Sequence, residues 1–109
     1  MTDAEDLKVI TLARSGRARS GAAEGAAVRD ETGRTYAAVT VDLPSLAISA
    51  LRLAVAMAAS SGAAELEAAA LVTLAETPDE ADLAALAALG PHARLFLAAP
   101  DGTVRARLP

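Results

Sequence analysis

The chain has no cysteine among its 109 residues. That excludes disulfides, thiolate nucleophiles and every zinc site built on cysteine. Histidine is almost as scarce: His92 stands alone, directly after Pro91. It reads as a surface residue of a loop rather than a ligand. Aromatic side chains are reduced to Tyr36 and Phe96, so the core has to be built from Leu, Val, Ile and closely packed Ala. Small side chains bury little area each, and association of subunits would add stability that one subunit lacks. Positive charge does not dominate: 10 basic residues face 14 acidic ones, for a net charge of -4. Nucleic acid is therefore a poor partner, and the cluster Arg14, Arg17 and Arg19 reads as a solvated loop. A membrane span is also missing, since the longest apolar run, 43–59, is interrupted by Arg52 and rich in alanine. The acidic start, Met1-Thr2-Asp3-Ala4-Glu5-Asp6, is unlike a secretory signal, and a cytoplasmic location is expected.

What is present suits one domain, 1–109, with a real core. Residues 3–13 are predicted as a helix with Leu7 and Ile10 on its apolar stripe, followed by a loop over 15–21. Residues 23–29 and 35–41 alternate as a hairpin about the turn Asp30-Glu31-Thr32-Gly33. Pro44 is expected to open a second helix that runs to about residue 60, with Asp42 as its cap, apolar on nearly all sides apart from Arg52. A third strand over 67–75 carries the run Ala69-Ala70-Leu71-Val72 of a central position.

The stretch Thr77-Pro78-Asp79-Glu80-Ala81-Asp82 then reads as a helix start: Thr77 as cap, Pro78 at the first position, Glu80 closing a capping box. Asp79 and Asp82 add carboxylates at the positive end of the helix dipole. That helix reaches about residue 89, and strands over 94–98 and 103–108 follow. The order α-β-β-α-β-α-β-β predicts a three-layer α/β/α sandwich about a five-stranded mixed sheet.

This order and several local strings resemble the small homo-oligomeric cytidine deaminases. The strings are Gly25-Ala26-Ala27-Val28, Thr32-Gly33-Arg34, Val41-Asp42, Ser49-Ala50-Leu51-Arg52, Ser61-Gly62 and Thr77 through Asp82. The resemblance runs from about Asp6 to Arg107. It implies a hydrolytic deaminase whose zinc is held by a Cys-Ala-Glu or His-Ala-Glu helix and a later Pro-Cys-x-x-Cys helix start. Carried over position by position, Ser49 stands at the first ligand, Leu51 at the proton-moving glutamate, and Asp79 and Asp82 at the two cysteines, with Pro78 retained. Leu51 transfers no proton, and a serine hydroxyl is a poor zinc ligand. The family's sugar-binding asparagine and glutamate align with Thr40 and Asp42, its base-packing aromatic falls near Ala22 or Ala23, and two residues are missing before Ser49.

The resemblance therefore implies a degenerate member: no catalytic residue, zinc absent, and an oligomer (dimer or tetramer) serving as scaffold or as regulator of a protein partner. Arg52, which matches an arginine near the family's zinc-bound sulfurs, is expected to pair with Asp79, Asp82 or both in place of the metal. The alternative is that both aspartates face solvent. Thr40 and Asp42 keep open a residual nucleoside site, and an enzyme with an unusual deaminase site is the rival from another class.

Overall fold

A computed structural model of the chain describes residues 3–108. Ten elements follow one another: α1 (Ala4–Ser20), β1 (Gly25–Asp30), β2 (Thr35–Val39), β3 (Val41–Leu43), β4 (Leu46–Ile48), α2 (Ala50–Ser60), β5 (Leu66–Val72), α3 (Glu80–Leu89), β6 (Arg94–Ala98) and β7 (Val104–Leu108). Five strands form one sheet in the order β2-β1-β5-β6-β7. β5 and β6 are its parallel pair, joined by the α3 crossover, and the other neighbours are antiparallel.

The central strands read as continuous apolar runs because helices cover both faces. Along β1, β5 and β6 successive residues point to opposite sides. Ala26, Val28, Ala69, Leu71, Leu95 and Leu97 pack with Ala50, Leu51, Ala54, Val55 and Ala58 of α2 and Leu86 of α3. Ala27, Ala70, Val72, Phe96 and Ala98 pack with Val9, Ile10 and Ala13 of α1. The three-layer sandwich and the mixed five-stranded sheet expected from the sequence are both present.

Three boundaries differ from expectation, each for a physical reason. The first helix does not stop at residue 13 but continues to Ser20, so 15–21 is not a loop and its arginines ride on two further helical turns. The glycine that suggests a loop, Gly16, sits where a Cβ would lie 3.3 Å from Val39 Cγ1, and Gly25 faces the Ala13 carbonyl so closely that a Cβ would come within 2.1 Å. These glycines let α1 lie against β1 and β2, while Gly21, at φ 71, ends the helix.

The second helix does not begin at Pro44. Pro44 and Ser45 turn a small hairpin between β3 and β4, and the helix starts at Ala50 with Ser49 as its cap. Proline suits an early turn position as well as a first helical one, and Asp42 is consequently a strand residue rather than a cap. The shorter helix is also not apolar all round. Ala50, Leu51, Ala54, Val55 and Ala58 are buried, while Arg52, Ala56 and Ala59 face out; exposed alanines had disguised an ordinary two-sided helix. Finally, Thr77 does not cap α3. The cap is Asp79, it makes no side-chain capping bond, and the predicted capping box is not formed.

Candidate functional site

The N-termini of α2 and α3 bring the positions singled out in the sequence to one place. Ser49 is the cap of α2: its Oγ accepts from the Arg52 backbone N–H at 3.3 Å. The same hydroxyl donates to Asp82 Oδ1 at 2.5 Å. Asp82 sits in the first turn of α3 and is only 2 % exposed. A carboxylate is thus held between two helix N-termini, where both dipoles favour it. Leu51, one turn-start residue further along α2, is 0 % exposed and belongs to the core between α2 and the sheet.

Asp79 faces solvent as the α3 cap, and Arg52 is exposed on the outer side of α2. The expected pairing of Arg52 with Asp79 or Asp82 is not formed. Among the described residues the ion pairs are Arg29 with Asp6 at 3.1 Å, Arg29 with Glu67 at 3.3 Å and Arg94 with Asp6 at 3.8 Å. The reason is angular. Ser49 precedes the helix and turns inward to cap it, while Arg52 falls on the solvent stripe between buried Leu51 and Ala54. The aspartates therefore split: Asp82 turns inward onto serine, and Asp79 stays in water.

Beside this junction Thr40, Val41, Asp42, Ala47, Ile48, Ser49 and Arg52 line an open pocket of about 310 Å³. The two candidate sugar-binding residues do come together there, with Ser49 and Arg52. Thr40, however, is already engaged: its Oγ1 accepts from the Glu24 N–H at 3.0 Å and donates to the Glu24 carbonyl at 3.4 Å. Glu24 in turn accepts from Thr73 Oγ1 at 2.7 Å, which ties β1 to the loop before α3. Asp42 is exposed. The wall supplied by β3 and β4 was not foreseen, because its strands are three residues each and carry a helix-like apolar spacing.

The carboxyl with the largest shift lies elsewhere. Asp30, at the β1–β2 turn, is held down to about 2 by the Thr32 hydroxyl, with further hydrogen bonds from Tyr36 Oη and the N–H groups of Thr32 and Arg34. This is an Asx-type turn that fixes the hairpin, and its Asp-x-Thr-Gly string could have announced it.

A five-stranded mixed sheet with one helix on one face and two on the other, and with two helix N-termini meeting beside a pocket, defines an α/β domain of the deaminase type. The family model described as "Cytidine deaminase-like" matches residues 2–102, and the chain belongs to that family. Among solved structures it is similar to a cytidine deaminase from Burkholderia pseudomallei, at 25% identity and TM-score 0.78, covering 90% of this chain and 87% of that one. A cytidine deaminase from Mycobacterium leprae follows at 22% identity and TM-score 0.69, covering 90% and 89% of the two chains. A mutant cytidine deaminase from Mycobacterium tuberculosis shares 23% identity at TM-score 0.69, with 81% of each chain covered. No curated protein matches the chain.

The zinc ion implied by the family finds no fitting donor set in these side chains. The Ser49 hydroxyl is committed to Asp82 and to its own helix, and Asp79 points to solvent. Among the described residues no three His, Cys, Asp or Glu side chains gather. A hydroxyl and one inward carboxylate do not make the three-ligand site of a catalytic zinc. No helix among the described residues is long and apolar enough to cross a membrane.

Proposed function

We propose that this chain is a catalytically inactive member of the cytidine deaminase-like family, working in the cytoplasm as an oligomeric scaffold or as a regulatory, partner-binding protein without zinc. The observation that carries the reading is Leu51: at the position of the family's glutamate stands a fully buried aliphatic residue that is part of the core. General acid–base transfer supplies a factor of about 10²–10⁴, and the inward carboxylate at this junction, Asp82, is held by the Ser49 hydroxyl. The Ser49–Asp82 hydrogen bond takes over the structural task of joining the two helix starts. Oligomerisation is supported by exposed apolar side chains, among them Leu43 and Leu46 at the β3–β4 hairpin, each 57% exposed, and Leu74 after β5 at 73%.

Metal analysis combined with cytidine and deoxycytidine turnover tests the reading. Protein purified without added zinc is expected to hold far less than one zinc per chain and to release no ammonia. Stoichiometric zinc together with ammonia release would overturn it. A second reading, a residual nucleoside or nucleotide site, is favoured by one observation: Thr40, Asp42, Ser49 and Arg52 share a single pocket. Calorimetric titration with cytidine decides it, and absence of heat at millimolar ligand ends it.

A further inference from the structure

The main sheet ends in two unlike edges, β2 and β7. β2 is flanked by helices on both faces: Gly16 of α1 lies against Val39, while Tyr36 and Ala38 pack into the core on the α2 side. β7 is open. Val104, Arg105 and Arg107 are exposed, Ala106 and Leu108 are half-buried, and among the described residues no strand pairs with its outer side. Such an edge presents a row of unpaired backbone N–H and C=O groups.

The two faces of β7 differ in chemistry. Leu108 lies opposite Leu95 and Ala106 opposite Leu97, so both belong to the face that α2 and α3 cover. There an apolar groove of about 280 Å³ lies between α3 and the sheet, walled by Leu83, Leu86, Pro91, Leu95 and Leu108. Arg107 lies opposite Phe96, on the face that carries α1, and Arg105, two residues before it, shares that face. Among the described residues neither arginine has an ion pair. Arg105 donates to the Ala75 carbonyl at 3.2 Å, which orients it without neutralising it. The carboxylates Asp3, Asp6, Glu65 and Glu67 gather with Arg29, His92 and Arg94, and none of them lines the cavity at Arg107.

We propose that β7 accepts an extended segment of a partner protein in which acidic and apolar residues alternate. The added strand continues the sheet: main-chain hydrogen bonds to β7 supply affinity and alternate side chains supply specificity. Register decides the pattern. A residue opposite Leu108 extends the row Leu95–Leu108 and lies beside the groove, so it is apolar. A residue opposite Arg107 extends the row Phe96–Arg107 on the other face, so it is acidic. The arginines also choose the occupant. A second copy of β7, paired antiparallel about Ala106, would set Arg105 against Arg107, whereas a strand carrying carboxylates gains from each pair. The proposal gives the partner-binding part of the reading above a chemistry, and its test is separate: a peptide that fails to bind leaves the zinc and turnover assays untouched.

The test is fluorescence anisotropy of a labelled heptapeptide alternating glutamate and valine, titrated with the full chain at low ionic strength. Saturable one-to-one binding is expected below about 1 mM. Lysine in place of glutamate, the same residues with the glutamates in one block, and methylation of the backbone amides should each weaken it about tenfold or more. Arg107→Glu should weaken the glutamate peptide about tenfold or more and tighten the lysine one. Leu83→Ser should weaken both by a few-fold and leave their ratio unchanged. Arg34→Ala, beside the β2 edge, should change neither. No saturation by about 1 mM, equal binding of the methylated or block peptide, or equal weakening by Arg34→Ala would each overturn the proposal. So would an oligomer that Arg107→Glu dissociates while the glutamate peptide binds neither form, which would give the edge to a second copy. Arg107 is exposed, so its variant is expected to fold, which circular dichroism checks.

Discussion

Removing the Ser49 hydroxyl is the most informative perturbation of the junction. Ser49→Ala deletes a helix cap, worth about 1 kcal/mol. It also strips the hydrogen-bond donor from Asp82, a carboxylate that is 2 % exposed; leaving such a group without its partner costs about 1–3 kcal/mol. The expected loss is about 2–4 kcal/mol, out of roughly 5–15 for a domain of this size, with Tm lower by roughly 4 °C for each kcal/mol. Asp82→Ala should cost about 1–3 kcal/mol, because Ser49 still caps its own helix. The double variant should then lose less than the sum of the two, by about 1–2 kcal/mol. Arg52→Ala should stay within about 0.5 kcal/mol, since Arg52 is exposed and makes no ion pair among the described residues. Tryptophan is absent and tyrosine single, so urea unfolding is best followed by far-ultraviolet circular dichroism. Additivity of Ser49→Ala and Asp82→Ala within about 0.5 kcal/mol, or a larger loss for Arg52→Ala than for Ser49→Ala, would refute the claim that serine and aspartate replace the metal as the clasp.

Restoring the family's glutamate should fail. Leu51→Glu places a carboxylate where the side chain is 0 % exposed, so a loss of about 3–5 kcal/mol is expected, read by thermal unfolding, and no cytidine turnover should appear. The Asp30 turn predicts a pH dependence. Its carboxyl is held at about 2 against an ordinary value of 3.8, so its contribution is fully present above about pH 4 and is lost as the pH falls through 2. Thermal midpoints measured from pH 5 down to 2 should fall less steeply for Asp30→Asn than for the natural chain; parallel curves would contradict the assignment.

Much of this was legible in the chain. The alternation along 36–41 and the apolar run of 69–72 are direct consequences of where strands must hide their side chains. The resemblance directed attention to Ser49, Leu51, Asp79 and Asp82 before any coordinates. Element boundaries were less legible. Alanine is compatible with helix, strand, core and surface, so a run such as 43–59 hides the point where a hairpin becomes a helix. Gly16 looked like a loop residue and Gly25 like an ordinary strand residue, yet each is a small residue required by a neighbouring backbone or side chain distant in sequence.

By itself the sequence determined the class of fold, and its resemblance to a family pointed to Ser49, Asp79 and Asp82 at two helix starts as the positions to inspect. The fold class follows from element order and apolar patterning, and those positions from the resemblance. Only the tertiary structure decided which partner Asp82 takes, because that depends on the angle at which each side chain leaves its helix. A cap such as Ser49 can turn inward while Arg52, three residues on, lies on the solvent stripe. Tertiary packing likewise brought Arg94 beside Arg107, residues whose meeting is fixed by strand register and by nothing local in the chain.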